Sequence, residues 1–90
     1  MSDIKLEALK LELHAGFHEQ VMEFIDARKL LRPPIFKVFE VCRFIEGRTG
    51  NNLNQALLRD AVDKSILYLE WTGRLQRLGK NEGKISYKIK

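Results

Sequence analysis

The chain predicts a mainly α domain closed by a C-terminal β-hairpin. Three observations carry this. Apolar residues recur at steps of three and four through most of its 90 residues, the last seven residues alternate strictly, and glycine- or proline-bearing breaks separate the periodic stretches. At 44% hydrophobic and 31% charged the balance is that of a folded globular domain. Its core is expected to be thin, because a chain this short covers a smaller fraction of its surface than a larger one.

Residues 4–31 read as helix. Leu6, Leu9, Leu13, Phe17, Val21, Phe24, Arg28 and Leu31 fall on one stripe, which Ile4, Leu11, Met22 and Ile25 widen. Asp3 is placed to cap the start, with Glu7 in the first turn. Gly16 is the weak point, at about 1 kcal/mol relative to alanine in a helix interior, and two helices broken near it are the alternative. Unbroken, the stretch is about 42 Å long, more than so small a body can cover. It is therefore expected to project, or to pair with a second copy as a homodimer.

Arg32-Pro33-Pro34 ends that segment. Ile35 to Glu46 reads as the next helix, its apolar face built from Ile35, Val38, Phe39, Cys42, Phe44 and Ile45, with Gly47 as its stop. Residues 47–52 form a loop dense in turn residues, in which Asn51 or Asn52 can cap a third helix. That helix is expected from Leu53 to Thr72, stopped by Gly73. Residues 79–83 are a turn-rich linker. In Lys84–Lys90, Ile85, Tyr87 and Ile89 share one face and Lys84, Ser86, Lys88 and Lys90 the other, which makes a hairpin with one buried and one basic face.

Charge divides the chain. Residues 1–27 hold two basic and six acidic residues, net −4, whereas residues 28–90 hold fourteen basic and six acidic, net +8. The last 18 residues carry Arg74, Arg77, Lys80, Lys84, Lys88 and Lys90 against Glu82 alone. A basic end on a near-neutral body is the electrostatic footprint of a partner rich in phosphate, and a lysine-rich edge that blocks sheet aggregation is the competing explanation.

The stretch Val62, Ile66, Leu69, Gly73, Leu75, Arg77, followed by Gly83 and Tyr87-Lys88-Ile89, resembles the recognition helix and wing of the winged helix-turn-helix superfamily. The resemblance covers roughly residues 35–90. It implies a winged helix domain over residues 33–90, which leaves residues 1–32 as an N-terminal helical extension, the segment whose long stripe suits dimerisation or interaction. It also implies binding of double-stranded DNA by a small regulator of transcription or replication. In the superfamily a short separate helix precedes the recognition helix. Here only Leu53 to Ala61 stand ahead of Val62, so that helix is expected to be abbreviated or fused with the next.

Carried onto this chain, the resemblance implies a DNA-binding set of Arg59, Lys64, Arg74, Arg77, Lys80, Lys84 and Lys88. Arg59 and Lys64 would stand at the start of the recognition helix beside Asp60 and Asp63, and the others on the wing. Arg59 is the candidate for a guanine contact, because a guanidinium can bond O6 and N7 together. The superfamily also includes protein-interaction modules, a second reading that would use the exposed apolar residues of the N-terminal helix and Trp71.

Other chemistry is thin. His14 and His18 stand at i, i+4 on one helix face, but a zinc site needs further ligands, and the single cysteine, Cys42, falls on an apolar face. One cysteine forms no internal disulfide and suits a reducing cytosol, or a nucleus. Gly47-Arg48-Thr49-Gly50 lacks the spacing of a phosphate-binding loop, and Ser65 and Ser86 lie in no nucleophile motif. No apolar run reaches membrane-spanning length, and the start lacks a secretory signal pattern. The expectation is a non-enzymatic protein with no metal, cofactor, membrane or small-molecule substrate.

Overall fold

The structure, a computed structural model, describes residues 2–50, 54–81 and 83–90. Its elements run α1 (Ser2–Glu12), α2 (Ala15–Arg28), β1 (Ile35–Lys37), α3 (Val38–Thr49), α4 (Gln55–Trp71), β2 (Leu75–Asn81) and β3 (Lys84–Ile89). The helices pack with an antiparallel sheet in which β3 lies between β2 and β1, the latter coming from between α2 and α3.

The long N-terminal segment is two helices. The break comes at Leu13–His14, just ahead of Gly16, and it has a local cause. His14 is extended (φ −81°, ψ 108°), and its Nδ1 accepts the backbone N–H of Phe17 at 3.3 Å, so its side chain starts α2. Of the two expectations, this turn rules out a single 28-residue helix and bears out two helices broken near Gly16. Phe17, Val21, Phe24 and Ile25 of α2 join Val41 and Ile45 of α3 and Leu58, Val62, Ile66 and Leu69 of α4 in one core cluster. That core crosses residue 32. Helix α1 lies against α4 and adds Leu9 to the buried set.

The expected helix over Ile35–Glu46 is also corrected. Ile35–Lys37 is a strand, paired with β3 through Ile35↔Lys88, Phe36↔Tyr87 and Lys37↔Ser86. Phe36 is 1% exposed, packed edge-on to Phe24 at 5.4 Å and stacked on Tyr87 at 5.8 Å. Apolar burial against β3 therefore outweighs the helical spacing that Ile35 shares with Val38. The junction is locked by Glu40, which accepts the Lys37 backbone N–H at 2.8 Å and Arg28 Nη2 at 2.5 Å, while Arg28 Nη1 donates to the Ile35 carbonyl at 3.1 Å. Helix α3 runs past Gly47 to Thr49 and ends at Gly50, whose φ of 95° suits glycine.

Helix α4 starts at Gln55, capped by Asn54 Oδ1, which accepts the Leu57 N–H at 3.1 Å. The caps expected from Asp3 and from Asn51 or Asn52 lie outside the residues whose side chains are described. The helix runs unbroken through Leu57–Ala61, so no separate short helix stands within that stretch. Gly73 ends α4 with a φ of 83°, and the chain turns into β2. The hairpin forms as expected, with Leu75, Tyr87 and Ile89 buried. One irregularity matters. The register shifts between Arg77 and Gly79, so Leu78 is an extra residue, and beyond it Lys80 pairs with Ile85 and Asn81 with Lys84.

Candidate nucleic-acid interface

A groove of about 470 Å³ lies between the start of α3, the middle of α4 and the hairpin. Its apolar floor comes from Val38, Ile66, Leu67 and Ile85. Five cations line it: Lys37, Arg59, Arg77, Lys80 and Lys84. Asp63 is the one carboxylate among the lining residues.

Each cation has a distinct support. Arg59 Nε donates to Asp63 Oδ1 at 3.2 Å, one helical turn on, and both side chains stay mostly in water. Arg77 sits over the Tyr87 ring at 5.9 Å and donates to Glu70 Oε1 at 3.1 Å, tying β2 to α4. That hydrogen bond raises the Arg77 pKa above its ordinary value, and burial raises that of the Tyr87 phenol. The Lys84 ammonium stands 4.4 Å from the centroid of Phe39, which also receives Arg43 at 5.3 Å. Lys37, Lys80 and Lys84 have no carboxylate partner among the described residues.

The register shift explains why Lys80 reaches this side. In a regular ladder Arg77, whose partner is Tyr87, and Lys80 would face opposite ways. One inserted residue puts Lys80 opposite Ile85, on the face Tyr87 occupies. Lys84 and Lys88 keep the same face of regular β3, so the shift moves Lys80 alone. Lys84 reaches the groove from the first residue of β3, over the Phe39 ring, whereas Lys88 lies farther along the strand between Ile35 and Gln76 and does not line it.

Of the seven sequence-derived site residues, the groove gathers Arg59, Arg77, Lys80 and Lys84. It does not gather the other three. Lys64 faces away, 3.3 Å from Asp60 and 3.8 Å from Glu12 of α1. Arg74 lies where α4 passes into β2, and its charge acts on His18 of α2. Sequence spacing misses Lys37, because within a helix over Ile35–Glu46 nothing sets it beside the hairpin. The Pro33-Pro34 pair ahead of an apolar dipeptide is the signal that could have placed it on a strand.

The histidines hold structural positions. His14 caps α2, and His18 Nδ1 is 3.0 Å from the hydroxyl of fully buried Ser65, its ring edge-on to Tyr68. Cys42 is half-buried, and burial pushes its thiol pKa up, away from the reactive thiolate. No group of three metal-binding side chains occurs among the described residues, and no helix among them is long and apolar enough to cross a membrane. Comparison with protein-family models, curated proteins and solved structures gives no match.

Proposed function

We propose that the chain is a winged-helix domain that binds double-stranded DNA, as a small regulator of transcription or replication. The observation that carries this reading is the ratio of five cations to one carboxylate in a groove between a helix and a hairpin. Phosphates of a duplex strand are the chemistry that such a groove neutralises, and each neutralised phosphate releases condensed counterions. The element order supports the reading as well. With α2 as the first helix, β1 follows, and α3 is the separate helix ahead of α4 that the winged-helix pattern requires. The short helix that the spacing before Val62 leaves no room for is then α3, one position earlier in the chain.

Within this reading the groove positions the duplex more than it reads it. Asp60 and Asp63 stand beside Arg59 near the start of α4, where carboxylates repel phosphate, and Arg59 is already engaged by Asp63. Lys37, Lys80 and Lys84 make the backbone contacts, with Arg77 held in place by Glu70 and Tyr87. A docking module is the alternative, favoured by the exposed Trp71, Leu30 and Leu31.

Titration of generic duplex DNA against salt tests the proposal. Affinity should fall with a log–log slope of about −0.9 per neutralised phosphate, and Lys37→Ala/Lys80→Ala/Lys84→Ala should flatten it by up to roughly three such steps. Arg59→Ala should weaken all duplexes alike if it meets a phosphate, and one preferred site by about 1–3 kcal/mol if it meets a guanine. Absence of duplex binding at low salt sinks the DNA reading and leaves the docking module.

A further inference from the structure

Helix α1 has two apolar faces, and α4 covers only one. Leu6 and Leu13 are half-buried and Leu9 is 6% exposed, forming the face toward the body. Ile4 and Leu11 are 78% and 86% exposed, and Ala8 between them is exposed too. At about 100° per residue, Ile4, Ala8 and Leu11 make a second stripe nearly half a turn from the first. Lys5 and Glu12 line one flank of that stripe, two helical turns apart, and Glu7 lies on the other.

We propose that this outer face pairs antiparallel with the same face of a second copy of the chain. The stripe is self-complementary about Ala8. A two-fold axis there sets Ile4 against Leu11 of the second copy and Ala8 against Ala8, a small residue where the helices come closest. The same axis brings like flanks together, so Lys5 meets Glu12 of the second copy and Glu12 meets its Lys5. Glu12 is 58% exposed, and its 3.8 Å approach to Lys64 leaves it able to take a second ammonium. The helix sequence holds Lys5 and Lys10 against Asp3, Glu7 and Glu12, net −1. A phosphate-bearing partner would gain no net attraction at this helix, whereas a second copy gains two Lys5–Glu12 pairs on one flank against a single, exposed Glu7–Glu7 approach on the other.

One short helix face is small beside a standard interface of about 1,600 Å², so the dimer is weak and concentration-dependent. Sedimentation equilibrium on the full chain should show a mass rising from 10.5 kDa toward twice that value with concentration. Leu11→Glu should abolish the rise with an unchanged thermal midpoint, since the side chain it replaces is in water. The flank pairing has its own test. Lys5→Glu alone and Glu12→Lys alone should each self-associate at least tenfold more weakly than the parent, because each places like charges together. An equimolar mixture of the two should recover association, because the mixed pair restores both attractions. A mass fixed at the monomer value at about 1 mM, a dimer unaffected by Leu11→Glu, or a mixture no tighter than its components would each overturn the pairing. None of these readouts depends on DNA.

Discussion

Helix α4 carries an appendage on each flank, α1 from one end of the chain and the β2–β3 hairpin from the other, and the two are attached by different means. The hairpin buries Leu75, Tyr87 and Ile89, completes a ladder with β1, and is tied to α4 through Arg77 and Glu70. Among its described residues helix α1 buries only Leu9, and it approaches α4 electrostatically through Glu12 and Lys64 at 3.8 Å. Its sequence carries a net charge of −1, whereas the hairpin is cationic. The difference separates two duties. The hairpin is part of the fold and presents charge, while α1 leans on the fold and presents apolar surface.

The largest effect expected from this contrast is in stability. Tyr87→Ala should cost about 3–5 kcal/mol, because it removes a buried ring stacked on Phe36 and leaves a cavity beneath the sheet. Leu9→Ala should fall near about 2 kcal/mol, the low end for a buried leucine, since its surroundings can collapse. Leu11→Ala should stay within about 0.5 kcal/mol. Urea unfolding of dilute protein gives all three. Equal losses from Leu9→Ala and Tyr87→Ala would make α1 as integral as the hairpin.

The same contrast shows what the sequence disclosed. The period-three-to-four stripe marked the burial of Leu9, Phe17, Val21 and Phe24, and strict alternation marked that of Tyr87 and Ile89. Periodicity reports that a face is covered, not by what, so it runs through α1 and α2 alike, and only Gly16 hinted at the break that His14 makes between them. It also gives Ile35 and Phe36 to a helix, because three residues are too few to show a strand's period, and the β3 edge that recruits them lies some fifty residues on. Lys37 is lost with them. The hairpin charges are plain in the sequence. The placing of Lys80 on the groove side is not, because it depends on one extra residue at Leu78.

Charge substitutions sharpen the contrast next. On generic duplex DNA, Lys80→Ala/Lys84→Ala should remove roughly two counterion steps, about 1.8 units of log–log slope, whereas Lys5→Ala/Lys10→Ala should leave the slope unchanged. Lys88→Ala, on the outer sheet face, should fall between them. Equal losses from the α1 and groove pairs would mean that attraction comes from net charge and not from the groove.

Asp63→Asn should act in the opposite sense. It removes the carboxylate in the groove and releases Arg59, so duplex affinity at low salt should rise about threefold, the size expected of one exposed charge. The lost i, i+4 pair should cost only about 0.3–0.5 kcal/mol of stability. Weaker binding by Asp63→Asn in a protein of unchanged thermal midpoint would show that Asp63 itself contacts the duplex, as an aspartate accepting from cytosine would.

The smallest effect concerns the far side of α4, where α2 rests on it. His18 Nδ1 lies 3.0 Å from Ser65, a residue with no exposure to water, and the ring stands edge-on to Tyr68. Burial lowers the His18 pKa below its ordinary 6.5, and the charge of Arg74 lowers it further. The folded state therefore takes a proton less readily than the unfolded chain. Stability linked to His18 is complete above the unfolded pKa and is lost as pH falls from about 6.5 toward the depressed folded value, below which the loss levels off. Urea midpoints measured across that window should decline in the parent and decline less in His18→Gln, which cannot take up the proton. Arg74→Ala should recover part of the loss by removing the second cause of the depression. A His18→Gln profile parallel to the parent's would assign the decline to carboxylates elsewhere and leave the α2–α4 contact without a titrating group.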